Sequence, residues 1–295
     1  MVKISTLNFK SQIKRLFLGI LNFCVKSILF PLSKKYKNSV LFDFIFSLVP
    51  IVEIKIQNAP KKLKFYCPNG ITYWRAKTLL KKEPETIEWI DSFKKDDVFW
   101  DVGANVGTYS LYAGMKGIKT LAFEPSAGNY WVLNQNIFIN KIDNYIKGFP
   151  IAFSSENKIG VFNMNDVDIG GAIYEFGNEK EVIQLANYTK GVTFHQGMIG
   201  LTIDKFIEQY SPLLPNHLKI DVDSIELEII KGAVNTLKDK SLRSVLIEID
   251  SEDEVQLNSI MEILTNSGFR LLHKKHSEEY TPMELKSLYN YIFTK

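Results

Sequence analysis

The sequence predicts an α/β fold, a doubly wound and mostly parallel sheet with helices on both faces, preceded by a helical N-terminal extension. Three observations carry this reading. From about residue 97 onward, apolar runs of strand length alternate with segments of helical periodicity. The first run, Val98-Phe99-Trp100 and Val102, gives way to a small-residue turn, Gly103-Ala104-Asn105-Val106-Gly107, with Asp101 at its edge. The second run, Ile118 to Phe123, ends on an acid, Glu124.

The elements follow in order. Residues 1–50 read as a basic amphipathic helical extension and 51–295 as the main domain. Val52 to Ile56 alternates apolar and charged residues as a strand does, and Pro68-Asn69-Gly70 marks a turn. Trp74–Lys77 and Glu83–Phe93 read as helices, the second with Ile87, Ile90 and Phe93 at helical spacing. Between the first two strands, Thr108–Lys116 is helical, and Gly117 stops it. A helix carrying Trp131, Val132, Asn134, Gln135 and Ile139 follows Glu124, and Phe149–Phe153 reads as the third strand. Residues 154–196 are polar and glycine-rich, an expected hairpin-bearing insertion at the sheet edge. Then come a helix Thr202–Tyr210, a strand Leu218–Asp221, a helix Ser224–Leu237 and a strand Val245–Ile249. A helix Glu252–Asn266 closed by Gly268 and strands Phe269–His273 and Tyr289–Phe293 complete the chain.

Charge separates the two parts. Residues 1–42 hold eight of the 36 basic residues and no acid, leaving 28 bases against 33 acids elsewhere, a net of −5. The main domain is mildly acidic and lacks a basic cluster interleaved with aromatics, so no nucleic acid partner is expected. The apolar stretch Leu16–Val25, broken by Asn22, is short of the roughly 20 residues a bilayer span needs. Ile13, Leu16, Phe17, Ile20, Cys24 and Ile28 share one helical face. Residues 1–35 are therefore expected either to lie on an anionic membrane face or to pack on protein. A cytoplasmic protein, associated with the cytoplasmic membrane face in the first case, fits two unpaired cysteines, Cys24 and Cys67. With no C-x-x-C and no H-E-x-x-H, a structural zinc site has no candidate ligands.

The turn and the acid suit a ligand with a ribose. In a Rossmann-like sheet ligands sit at the C-terminal ends of the strands. Glycine lets backbone approach a ligand closely, and an acid ending the second strand accepts ribose hydroxyl protons. Gly103 and Gly107 stand as Gly-x-x-x-Gly, without the G-x-G-x-x-G spacing that seats a pyrophosphate. S-adenosylmethionine, a ribose ligand without pyrophosphate, fits. The expected cofactor-binding residues are Asp101, Gly103, Ala104, Asn105, Gly107, Glu124, Pro125 and Ser126.

The segments KEPETIEWIDSF (82–93), DVFWDVGANVGTYS (97–110), AFEPS (122–126), QGMIGLTIDKF (196–206), HLKIDVDSIELEIIKGA (217–233) and SVLIEID (244–250) together resemble the FkbM family of S-adenosylmethionine-dependent methyltransferases. The likeness runs in order from about Phe65 to the C-terminus. It implies a class I methyltransferase sheet over 51–295 with an antiparallel last strand, and helices before the first strand that close over the cofactor. It also implies O-methylation of a sugar, glycan or other hydroxylated small molecule, as in polysaccharide modification. An NAD-dependent oxidoreductase and a catalytically silent scaffold of the same fold are the alternatives.

Methyl transfer to a hydroxyl needs close, collinear reactants and a base or metal for the proton. Asp221 ends the strand beside the first and is the leading catalytic candidate, with Asp223 and Glu248 next. Glu226 follows one turn on. These acids could equally cap the helix behind the strand. Asp221, Glu248 and Asp250 are the candidate oxygen ligands of a divalent ion, by analogy with metal-dependent O-methyltransferases. The family pattern reads KIDVDG or KIDVEG where this chain reads KIDVDS, so Ser224 is either a helix N-cap or a strained substitute for glycine. The four histidines are scattered, with no metal-ligand spacing.

Overall fold

A computed structural model describes residues 19–28, 40–41, 43–44, 47–57, 61–276, 280 and 283–295. The chain divides into two compact units, Met1–Pro50 and Ile51–Lys295. In the first, residues 19–28 are helical and Ile20, Leu21, Phe23 and Ile28 are exposed. Of the eight basic residues of the extension, only Lys26 falls among the described residues. Among these no helix is long and apolar enough to cross a membrane.

The second unit opens with an antiparallel pair, β1 (Ile51–Ile54) and β2 (Leu63–Tyr66). Helix α1 (Gly70–Thr78) begins at Asn69, whose side chain accepts from the Thr72 N–H while Thr72 answers at the Asn69 N–H, a reciprocal cap. Helix α2 (Pro84–Asp91) starts on a proline, whose missing N–H costs nothing there.

The main sheet has seven strands. These are β3 (Val98–Val102), β4 (Lys119–Phe123), β5 (Ile146–Phe149), β12 (His217–Ile220), β13 (Ser244–Asp250), β14 (Arg270–Lys275) and β15 (Leu288–Thr294). Their order is β14-β15-β13-β12-β3-β4-β5. β5, β4, β3, β12 and β13 run parallel, and β15 inserts antiparallel between β13 and β14. This is the mostly parallel sheet with an antiparallel last strand that the sequence and its resemblance imply. Helices α3 (Thr108–Met115) and α4 (Ala127–Asn140) link the early strands. Helix α5 (Ile203–Tyr210), capped by Thr202, leads to β12, and α8 (Glu254–Asn266), capped by Asp253, links β13 to β14. One apolar cluster holds Phe65, Phe99, Ala122 and Leu133, the other Trp100, Phe123, Ile220 and Ile247. Alternate residues of β3 and β4 thus feed opposite faces, and both faces are buried.

Three expectations are corrected. The third strand is Ile146–Phe149, not Phe149–Phe153: Pro150 has no N–H for the ladder, and Ala152–Phe153 becomes β6 of a second sheet. The insertion is larger than 154–196. It builds a four-stranded sheet, β6-β11-β7-β8, from β6, β7 (Lys158–Met164), β8 (Tyr174–Gly177) and β11 (Phe194–Leu201), with a separate hairpin of β9 (Val182–Leu185) and β10 (Tyr188–Gly191). The expected helix Ser224–Leu237 is two short ones, α6 (Glu226–Lys231) and α7 (Val234–Lys238), and it starts late because Asp223 and Ser224 take φ of 61° and 97°.

Candidate active site

A cavity of about 340 Å³ opens where β3, β4, β12 and β13 end. That size sits at the lower end of small-molecule sites, which run from about 300 Å³. Gly103, Asn105, Glu124, Pro125, Asp221, Asp223 and Glu248 line it, together with Trp74, Arg75, Lys82 and Glu83 from the helical approach and Ile173 and Tyr174 from the insertion.

The turn after β3 is shaped by backbone. Gly103, Asn105 and Gly107 take φ of 85°, 51° and 89°, the left-handed region that glycine and asparagine tolerate. A Cβ on Gly103 would run into the Asp221 carbonyl oxygen, so this glycine lets the β3 and β12 ends touch. Glu124 then ties the loop down: one carboxylate oxygen accepts the Asn105 N–H at 2.7 Å and the other the Ser126 N–H at 2.8 Å. It is 4% exposed, and burial pushes its carboxyl up to about 7 against those two bonds. Asn105 also donates its amide to the Gly171 carbonyl at 2.7 Å, joining the loop to the insertion. Ala104 and Ser126 are buried, and Gly107 opens α3 against Leu133.

Asp101 is buried; it accepts from the Ser110 hydroxyl at 2.6 Å through Oδ2, while Oδ1 has no hydrogen-bond partner. Burial raises its carboxyl above the ordinary range, opposed chiefly by Lys219. Lys219, given no role in the sequence reading, is a buried cation beside the cavity, outside its lining. It is 1% exposed and donates to Asp221 at 2.5 Å. Burial works against its charge, but Asp221, Asp101 and Glu83 outweigh that and hold the lysine protonated. Its ammonium lies 5.1 Å from the Tyr109 ring centre. The signal was present: β12 is a fully buried four-residue strand, where a lysine is out of place without acids around it.

The remaining acids differ in role. Asp223 accepts the Ile173 N–H at 2.6 Å, so it holds the insertion, and burial with Asp221 nearby pushes it up to about 6. Ile173 takes φ of 67°, a rare state for a β-branched residue and a local strain at the cavity wall. Burial pushes Glu226 up to about 8, and burial and Asp221 raise Glu248 well above the usual range. Asp250 lies off this cavity and accepts the Glu252 N–H at 3.0 Å. Among the described residues no three His, Cys, Asp or Glu side chains form a group that could hold a metal, so Asp221, Glu248 and Asp250 are not assembled as one. Ser224 is no N-cap: α6 begins after Ile225 without a side-chain cap.

The chain is similar to the hexuronic acid methyltransferase AglP of Haloferax volcanii, 27% identical over 198 residues that span 65% of this chain and 74% of that one. It is 30% identical over 94 residues to a tRNA (guanine(37)-N(1))-methyltransferase of Schizosaccharomyces pombe, a match to 32% of this chain and 20% of that one. A methyltransferase FkbM structure from Methylobacillus flagellatus aligns with a TM-score of 0.46 at 15% identity, over 69% of this chain and 44% of that one. The family model described as the methyltransferase FkbM domain matches residues 101–271, more than half of the chain, and the chain belongs to that family.

Proposed function

We propose that the chain is an S-adenosylmethionine-dependent O-methyltransferase acting on a hydroxyl of a sugar or glycan. The observation that carries the donor is Glu124, a buried carboxylate at the end of β4 that lines the cavity beside the Gly103 turn. The fit extends to Asp101, whose buried Oδ1 lacks a partner, and to Gly103, which leaves room for no side chain. S-adenosylmethionine supplies a sulfonium methyl open to in-line displacement.

The chain's own residues do the rest. Glu124 would accept the ribose hydroxyl protons, and the free oxygen of Asp101, which is buried next in sequence to the lining residues Val102 and Gly103, would be the partner of the donor's ammonium. Asp221 stands at the cavity as the acceptor-hydroxyl base, its position fixed by the Lys219 ammonium. Asp223 and Asn105 keep the insertion closed against the strand ends. A sugar acceptor is supported by the hexuronic acid named for the Haloferax relative. Residues 1–35, basic and apolar by turns, suit an acceptor held near a membrane surface.

Calorimetric titration with S-adenosylhomocysteine and, separately, NAD tests this. Micromolar S-adenosylhomocysteine binding is expected, lost in Asp101→Ala and Glu124→Ala, with no NAD binding. Binding of NAD alone, or of neither ligand, would overturn the donor assignment.

A further inference from the structure

The cavity holds two permanent cations, and they are not alike. Lys82 is spoken for, donating to Glu83 at 2.7 Å. Arg75 is not. Its Nε donates to the Gly170 carbonyl at 2.7 Å, and its terminal nitrogens make no hydrogen bond or ion pair to a described residue, although Glu124, Asp221, Asp223 and Glu248 line the same cavity. A guanidinium offers two paired edges. With Nε committed, the end-on pair of terminal nitrogens remains, a fork that matches the two oxygens of a carboxylate.

The fork is held rigidly. Asn69, the cap of α1, donates to the Ile169 carbonyl at 2.8 Å, so residues 169 and 170 are latched to α1 at two points. Gly170, at φ 84°, brings its backbone so near Ile71 and Thr72 that a Cβ would sit 3.1 Å from each. Asn129 accepts the Gly170 N–H at 2.7 Å from the other side. Beside Arg75, Trp74 also lines the cavity and is 39% exposed, a flat apolar surface open to solvent. The donor's ammonium and ribose are assigned to Asp101 and Glu124, which are 1% and 4% exposed, and its carboxylate is the rival claimant for Arg75 that the test below separates.

We propose that Arg75 binds the carboxylate of the acceptor through its free terminal nitrogens, with the sugar ring against Trp74, so that the enzyme selects acidic sugars over neutral ones. The inference rests on the methyltransferase reading above and names the substrate class of that site. Burial and the Asp221 charge raise Glu248 well above the ordinary carboxyl range, which lowers the negative charge lining the same cavity as Arg75.

The test uses the full chain, with Arg75→Gln, Arg75→Lys and, as a control on the exposed side of α1, Lys77→Gln. Labelled methyl transfer is measured to 4-nitrophenyl β-D-glucuronide and to the matching xyloside and glucoside, which carry at C5 a carboxylate, a hydrogen and a hydroxymethyl group in turn. S-adenosylhomocysteine and 5′-methylthioadenosine, which lacks the amino-acid carboxylate, are titrated in parallel. The expected result is wild-type preference for the glucuronide in kcat/KM, lowered at least tenfold by Arg75→Gln and partly restored by Arg75→Lys. Lys77→Gln leaves the preference unchanged, and S-adenosylhomocysteine binds all variants alike. Wild-type protein that binds S-adenosylhomocysteine but shows no glucuronide preference overturns the proposal. So does an Arg75→Gln loss of S-adenosylhomocysteine affinity with 5′-methylthioadenosine unaffected, which would give Arg75 to the donor's carboxylate. Wild-type protein that binds no S-adenosylhomocysteine defeats the methyltransferase reading itself, before Arg75 is in question.

Discussion

Strand β12 carries a buried ionisable residue near each end, and the two are solved in opposite ways. At its start, His217 stacks on Phe93 with ring centres 3.7 Å apart and is bonded at both nitrogens, to Ser244 at 2.6 Å and to Asp97 at 2.9 Å. Ser244 already accepts the Trp89 indole N–H at 2.8 Å, so its hydroxyl donates to His217 Nδ1, and Nε2–H donates to Asp97. Burial lowers the histidine to about 4, leaving it neutral, and Arg243 supplies the charge that Asp97 needs. Near the other end, Lys219 stays charged among Asp101, Asp221 and Glu83: burial raises Asp101, while against its own burial the Lys82 and Lys219 ammoniums pull Glu83 down to about 2. The first network is closed around His217, leaving Arg243 Nε without a partner at its edge, and is structural. The second is open, with an unpartnered Asp101 oxygen, and open polar networks in clefts are where ligands act.

Breaking the closed end gives the largest effect. Asp97→Ala strips the partner from His217 and from the Arg243 guanidinium. Loss of a buried pair costs about 3–5 kcal/mol, and the Arg243 side chain is 35% exposed, which reduces this to about 2 kcal/mol. Urea denaturation is expected to show that loss while S-adenosylhomocysteine affinity in the folded protein stays within twofold. A large affinity loss with little change in stability would mean that the two ends are not separable.

The open end answers to pH. Glu124 titrates at about 7 because burial disfavours its charged form, while ribose hydroxyls favour the carboxylate. S-adenosylhomocysteine affinity should therefore rise from pH 6 to pH 8 by roughly tenfold, and Glu124→Gln should flatten that rise. Stability of the ligand-free protein runs the other way. A carboxyl raised above its unfolded value binds more protons in the native state, so stability present at low pH is lost as pH climbs from about 4.5 through about 7. Calorimetric titrations at three pH values decide it, since a flat wild-type profile would remove Glu124 from the donor site.

How much of this the sequence disclosed follows the same division. The fold was legible because the sheet strands were short apolar runs and the helices between them had helical spacing, with Thr202 at the head of its helix proving to cap it. Local signals also marked Gly103, Asn105 and Glu124, since tight turns and strand-ending acids are written in adjacent residues. Lys219 and Arg75 escaped because their meaning is not local. Lys219 depends on Glu83 and Asp101 from other elements, and Arg75 on a carbonyl 95 residues away. Pro150 was visible, but its consequence, moving Ala152-Phe153 into another sheet, depended on β11, a strand with no clear alternation in its sequence.

Ser224 links the two lessons, because the sequence offered two readings and the backbone chose the costly one. Its φ of 97° is glycine territory, and Asp223 before it stands at 61°. A left-handed residue other than glycine costs on the order of 1–2 kcal/mol, partly offset by the smaller entropy serine loses on folding. Ser224→Gly is therefore expected to stabilise the fold by up to about 1 kcal/mol. The serine gives little in return locally. Its hydroxyl reaches Glu175 only at 3.4 Å, the one bond it makes to the insertion. If that contact sets how the insertion meets the strand ends, Ser224→Gly will raise the melting temperature and change KM for the acceptor while S-adenosylhomocysteine affinity holds. A drop in melting temperature would show that the strain at this position is already relieved by its neighbours, and that Asp223, bonded at the Ile173 N–H, fixes the loop without help from residue 224.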